Sequence, residues 1–285
     1  MTVLFPRVRS RRARITRACS AALAPLLLAA AALVPVAISG SASADPTPTS
    51  DTFSCNNGAF ILTSDGHITQ ASDVAGTWTT LISTGKALNA LAYNPEDRYL
   101  YAMLSNKVQK VTRNGVDDLG VVTHLPVEGY LAGAFDVDTG MYYVSKYNDL
   151  YAIDISTMTA TSVSVPAGII GVGIDFVIKD NWLWTVRGNK VAGFNLVSND
   201  HKQYTFDTTI VPSGSTSGAM WLDPSGTTLF AISSTPGEMA RFTGVGSSSI
   251  STELISSTNS HTSPIDGADC SKSTLTVTPD AKSRV

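Results

Sequence analysis

The sequence predicts an all-β fold: a β-propeller of four-stranded blades, five in number, whose ring is closed by its own C-terminal strand. Three observations carry this. Residues 55–271 consist of short alternating runs rich in Val, Ile, Thr and aromatics, punctuated by Gly, Asp and Asn, with almost no helical pattern. A unit of two strands around a turn recurs along them, each copy with an aromatic at a fixed place. The first copy lacks its opening strand, and the chain ends on a strand-like segment with nothing to follow it.

Residues 1–44 stand apart from the repeats. MTVLFPRVRSRRARITRA carries six arginines and no acid, AALAPLLLAAAALVPVAI is an apolar run, and SGSASAD places Ala42 and Ala44 where a signal peptidase reads. This is the pattern of an export signal, cleaved after Ala44. A retained anchor is the alternative, against which the apolar run is short for a membrane span. Arg11-Arg12 raises the twin-arginine route, but the ARIT that follows matches that signal poorly and the general route is favoured. Cys19 leaves with the leader. Residues 45–54, DPTPTSDTFS, read as a flexible lead-in, and residues 272–285 as a disordered polar tail.

The repeats follow in order. ALAYNPEDRYLYAML (90–104), AGAFDVDTGMYYVSK (132–146), GIDFVIKDNWLWTVR (173–187) and AMWLDPSGTTLFAIS (219–233) each read as a hydrophobic strand, a turn, and a strand bearing an aromatic. Those aromatics are Tyr101, Tyr143, Trp184 and Phe230, separated by 42, 41 and 46 residues; 41 residues before Tyr101 stands Phe60, in NNGAFILT. A third strand starts in each unit near Gly66, Asn106, Asn148, Asn189 and Gly237, and a more variable fourth follows. Four strands in about 40–48 residues is the signature of propeller blades. A β-sandwich with chance spacing is the alternative, but five aromatics in register exceed what turn statistics yield. A sixth blade is allowed if Ser213–Ser263 conceals a degenerate unit.

Closure explains the ends. SPIDGADC supplies a lone strand, and the Phe60 unit needs one. Residues 264–270 therefore belong innermost in the Phe60 blade, which brings Cys270 within reach of Cys55, 215 positions away. An exported chain makes that disulfide chemically reasonable, and closing so long a loop is worth roughly 5 kcal/mol at most by loop entropy.

Composition then excludes partners. The leader takes six of the 20 basic residues and none of the 23 acidic ones, so residues 45–285 carry 14 against 23, a formal charge of −9. A chain this acidic, with no basic patch, is a poor partner for nucleic acid or an anionic membrane surface. No membrane insertion is expected after signal cleavage, and the expected state is a secreted monomer.

The elements ALAYNPEDRYLYAM, AGAFDVDTGMYYV, GAMWLDPSGTTLFAI and the closing DGADC resemble a propeller-like extracellular domain family of bacteria, actinobacteria above all, that carries no assigned function. Asn94-Pro95 and DGA-x-C are the more specific pieces, and the match covers roughly residues 55–271. The resemblance implies a fold, a location outside the cell and a surface or adhesion context, and brings no catalytic residues. One departure stands out: FVIKDN places Val177 where the other units have Asn94, Asp136 and Asp223.

Catalytic signatures are sparse. His67, His124, His201 and His261 do not pair at metal-ligand spacing, and no G-x-S-x-G elbow is present. DVDTG at Asp136–Gly140 starts like a calcium loop but lacks its length and terminal glutamate, so a tight turn is the better reading. The ends of the innermost strands bring Asn89, Asn94, Asp136, Asp175, Asp223, Asp266 and Asp269 toward one mouth. Asn94, Asp136 and Asp223 are turn formers, expected to cap backbone amides. Asp175, Asp266 and Asp269 fall on strands and are the candidates for the channel mouth or for a metal.

Two functions follow as expectations. The first is a non-catalytic binding or structural module that uses no cofactor, with a cell-wall glycan or a surface protein as its extracellular partner. Trp78, in AGTWTTL, and the turn beside Tyr147 are the candidate glycan contacts. The alternative is a divalent-metal-dependent lactone or ester hydrolase, with calcium on the propeller axis activating water or the carbonyl.

Overall fold

Strands form where the repeat alternates, and they end where Asp, Asn and Gly take over. The computed structural model describes residues 51–55, 59–71, 78–208, 217–233, 239–256 and 264–270. The chain divides into two units, Met1–Asp45 and Pro46–Val285, and the described residues belong to the second. The export signal, His261, the tail and most of the lead-in lie outside them.

The Phe60 blade contains β1 (Phe60–Thr63), β2 (His67–Ala71) and β3 (Trp78–Ser83). The second blade is β4 (Asn89–Tyr93), β5 (Leu100–Leu104), β6 (Lys107–Thr112) and β7 (Gly115–Val121). The third is β8 (Ala132–Asp136), β9 (Met141–Lys146), β10 (Asp149–Asp154) and β11 (Thr159–Val163). The fourth is β12 (Phe176–Lys179), β13 (Trp182–Arg187), β14 (Lys190–Asn195) and β15 (His201–Thr205). The fifth is β16 (Ser217–Leu222), β17 (Thr228–Ser233), β18 (Met239–Thr243) and β19 (Ser251–Ser256). Last comes β20 (Pro264–Ala268), which pairs antiparallel with β1 and completes the first blade in the order β20-β1-β2-β3. All five sheets are four-stranded, and no helix occurs among the described residues.

The first strands of the blades, β20, β4, β8, β12 and β16, touch one another in sequence around a closed ring. They and the strands beside them are almost wholly buried, whereas outer strands such as β3, β7 and β15 alternate toward solvent. That gradient defines a five-bladed β-propeller. Among the described residues there is no sixth blade: β16 to β19 account for the described part of Ser213–Ser263. Cys55 and Cys270 are disulfide-bonded, with Cα atoms 5.5 Å apart, so the ends of the ring meet as expected.

Five separate hydrophobic cores lie between consecutive blades, and each of the five repeat aromatics sits in one. Phe60 stacks on Tyr93 between the first two blades, with ring centroids 5.4 Å apart. Tyr101 meets Phe135 edge-on at 5.2 Å between the second and third. Tyr143 packs with Phe176 and Ile178 in the third-to-fourth core, and Trp184 with Met220 and Leu222 in the next. Phe230 stacks on Trp221 at 5.3 Å in the core that joins the fifth blade to the first. Burying one such side chain is worth roughly 1.5–3 kcal/mol, so the register of the repeat is also the register of the glue.

The turns after the first strands explain the departure at the fourth unit. Asn94 accepts from the Glu96 amide at 3.0 Å, Asp136 from the Asp138 amide at 3.2 Å, and Asp223 from the Thr227 and Thr228 amides at 3.0 and 2.8 Å. These are the turn caps expected of them. Val177, however, pairs with Trp184 just as Ala134 pairs with Tyr143. The turn position two residues on therefore belongs to Lys179, not Val177. A two-residue turn, Asp180-Asn181, follows with both φ values positive (51° and 63°), and so tight a hairpin needs no side-chain cap.

Candidate functional site at the ring axis

Aligning the inner strands on the aromatic register places one layer of five residues at the axis. The partners of Phe60, Tyr101, Tyr143, Trp184 and Phe230 are Ala268, Ala92, Ala134, Val177 and Trp221. Two residues before these stand Asp266, Ala90, Ala132, Asp175 and Ala219, all buried. Three methyl groups leave room for two carboxyl groups, and the first and fourth blades supply them.

The two aspartates are held alike. Asp175 accepts the amide of Phe176, its own successor, at 2.8 Å and that of Met220, in the next blade, at 2.7 Å. Asp266 accepts the amide of Gly267, its successor, at 3.0 Å and that of Leu91, again in the next blade. Each carboxyl group thus bridges two neighbouring inner strands. Close approach of the backbones makes this reach possible: a Cβ on Gly267 would lie 2.8 Å from the Met220 nitrogen. A β-bulge in β4, with Ala90 at φ 56° and its amide bonded to Asn89 Oδ1 at 3.0 Å, brings Leu91 into position.

Burial holds both carboxyl groups well above the usual carboxylate range, and for Asp266 the charge of Asp175 adds to the effect. Tyr142 donates its hydroxyl to the Ala90 carbonyl, and its own pKa is raised by burial and by Asp266. Asp269 lies elsewhere. It stands three residues beyond Asp266, just past the end of β20, near the Leu222 amide and the Lys179 ammonium. Although the residue as a whole is half-buried, its carboxylate oxygens are sealed from solvent and accept no hydrogen bond of normal geometry. Burial pushes its pKa up to about 7, against the pull of the nearby Leu222 amide and Lys179 ammonium.

Of the three aspartates expected at a channel mouth or metal, two therefore meet and one stands apart. Asp175 precedes β12 and Asp269 follows β20, rather than lying within strands as expected. Among the described residues, no group of three or more His, Cys, Asp or Glu side chains is placed to hold a metal ion. His67 pairs with Asp65 at 3.0 Å in an exposed turn, and His201 begins β15. The half-buried Trp78 ring meets Trp221 edge-on at 6.3 Å against the core that closes the ring.

The second expected contact region differs. Tyr147 is 50% exposed and occupies the turn between β9 and β10 at φ 53°. The equivalent turn of the fourth blade has Gly188, at φ 60°. The Lys146 ammonium lies 5.1 Å from the Tyr147 ring centre and pairs with Glu128. Val127 and Val172, both exposed, lie in the connections entering β8 and β12, at the same end of the ring as the β9–β10 turn. Sequence reasoning marked this turn but missed the strain, because φ is invisible in a residue name. It also missed Tyr142, one position before the register aromatic, and the alanines of the axial layer.

Residues 61–272 match the family described as a repeat of unknown function (DUF6923). The chain belongs to that family. The match spans all five blades of this DUF6923 protein and the closing strand, ending two residues beyond Cys270. Among solved structures it is similar to a chain in the crystal structure of a nidogen/laminin complex, with 10% identity over 74% of this chain and 81% of that one, at a TM-score of 0.52. That likeness concerns the fold alone. A hydrazine synthase from Kuenenia stuttgartiensis matches more loosely, with 12% identity over 69% and 64% of the two chains and a TM-score of 0.42. No curated protein matches the sequence.

Proposed function

We propose that this protein is an exported, non-catalytic binding module that docks a cell-wall glycan on the face of the ring carrying Tyr147. The observation that carries the reading is the conformation of that residue. A bulky side chain at positive φ costs about 1–2 kcal/mol, and such outliers cluster where function retains them. Small residues serve the same turn elsewhere in the ring, Ser105 in the second blade at φ 57° and Gly188 in the fourth at φ 60°, so the bulk of Tyr147 is what sets it apart. A half-exposed aromatic ring offers a flat apolar platform for the C–H face of a sugar, and Lys146 and Glu128 beside it offer hydrogen bonds to hydroxyl groups. The inner ring supports the reading from the other side, since the oxygens of Asp175 and Asp266 are occupied by backbone amides. Export rests on the leader pattern of residues 1–44.

The test is a glycan array probed with residues 45–285, with and without calcium, as wild type and as Tyr147→Gly. The expected result is binding that disappears in the variant, while its unfolding free energy stays level or rises by about 1 kcal/mol as strain is relieved. Undiminished binding by the variant would remove Tyr147 from the site. Binding lost together with stability would mean that the turn is structural.

A further inference from the structure

All four oxygens of Asp175 and Asp266 accept backbone amides, and their strands converge at the Met220 amide, which Asp175 accepts and against which Gly267, the successor of Asp266, is pressed so closely that a Cβ there would lie 2.8 Å away. Two facing carboxylates cannot both stay ionised in a dry interior without a cation. The elements packed around them contribute Ala90 and Leu91 from β4, Ala132 from β8 and Met220 from β16, none of which titrates. Among the described residues, the one titratable neighbour is Tyr142 on β9, whose hydroxyl is directed to the Ala90 carbonyl. No Lys, Arg or His stands in the axial layer.

We propose that a single proton held between Asp175 and Asp266 is a structural ligand of the ring, making one carboxyl group a donor and the other its acceptor. The pair then carries one negative charge, spread over four oxygens that take four amides. Through those amides the proton ties the first blade to the second and the fourth to the fifth. Removing it leaves two like charges facing each other, each still bound to an inner strand, and forces apart the strands that close the axis. The direction of both pKa shifts agrees. A carboxyl group whose folded pKa is raised binds more protons folded than unfolded, so its contribution is complete in acid and is lost as pH rises through the folded value. The protein should therefore gain stability from neutrality toward mildly acidic pH, the opposite of a carboxylate held by a salt bridge.

The experiment follows denaturant unfolding of residues 45–285 from pH 4.5 to 9 in an Asp269→Asn background, which removes the other raised aspartate. Loss of one proton changes the unfolding constant by up to tenfold per pH unit. That slope is expected in the background protein and should flatten when Asp175→Asn or Asp266→Asn is added. Parallel profiles in all three proteins would overturn the proposal. Infrared spectroscopy of the wild type and of Asp269→Asn covers the case in which the axial variants fail to fold. A carboxylic-acid C=O band that persists at neutral pH in both is expected, and its absence from Asp269→Asn would overturn the proposal. A calcium arm at pH 8 separates proton from metal: a calcium-dependent rise in midpoint that Asp175→Asn abolishes would assign the pair to a cation instead.

Discussion

Asp269 and Asp266 stand three residues apart in one short motif, yet their surroundings give them different roles. Asp266 is satisfied by two amides and a partner carboxyl group, whereas Asp269 is sealed from solvent without an acceptor bond of its own. Its pKa of about 7 is raised from the ordinary aspartate value, so wild-type protein should lose stability as pH rises toward and through neutrality. Asp269→Asn cannot ionise. Its stability relative to wild type should therefore be greater at pH 8 than at pH 5, measured as the difference in urea midpoints. An unchanged difference would mean that the side chain reaches water in solution. At this scale the sequence showed residue types but not burial, so one reading covered three aspartates that the fold separates.

The inner strands are the elements that set how tightly the ring can close. β4 and β8 approach until a Cβ on Gly133 would lie 2.3 Å from the Ala90 carbonyl oxygen and 3.1 Å from the Tyr142 ring. Backbone cannot yield there as a flexible side chain can. Gly133→Ala should force the two strands apart, break the Tyr142–Ala90 bond and destabilise the protein by about 1–3 kcal/mol or more. Gly115→Ala on the outer strand β7 meets nothing within 4 Å and serves as the control, with a change well below that. Paired urea titrations measure both. The strands themselves were legible in the repeat, since alternation and turn residues are local properties. The bulge in β4 and the two-residue turn at Asp180-Asn181 were not, because each depends on pairing across a hairpin, and the misplaced Val177 was the consequence.

The whole molecule depends on β20. Deleting residues 264–285 should leave β1 with an unpaired edge beside the axis and remove Asp266, and the product should open or aggregate in size-exclusion chromatography. Deleting 272–285 leaves every described strand and both cysteines in place, and should elute and unfold as the parent does. Replacing Cys55 and Cys270 together with serine should lower stability by at most roughly 5 kcal/mol on the loop-entropy estimate, with the blades still paired by circular dichroism. Peptide mapping without reductant should recover the two cysteines as one linked peptide. Both thiols free in exported protein would leave β20 holding the ring alone.

Sequence by itself determined the four-stranded blade, the strand order within each blade, the closing strand and the cysteine pair, and it favoured five blades while leaving a sixth open. Each of these follows from a period of about 40 residues and from the one unit left incomplete, and periodicity survives in a linear string. Tertiary structure alone decided that Asp175 and Asp266 face each other while Asp269 does not, that alanines at 90, 132 and 219 make room for them, and that Tyr147 is held at positive φ. Those facts depend on how five separate segments converge on one axis and on the backbone torsion of a single turn. Neither is a local property of the residues concerned, so neither could be read from their names.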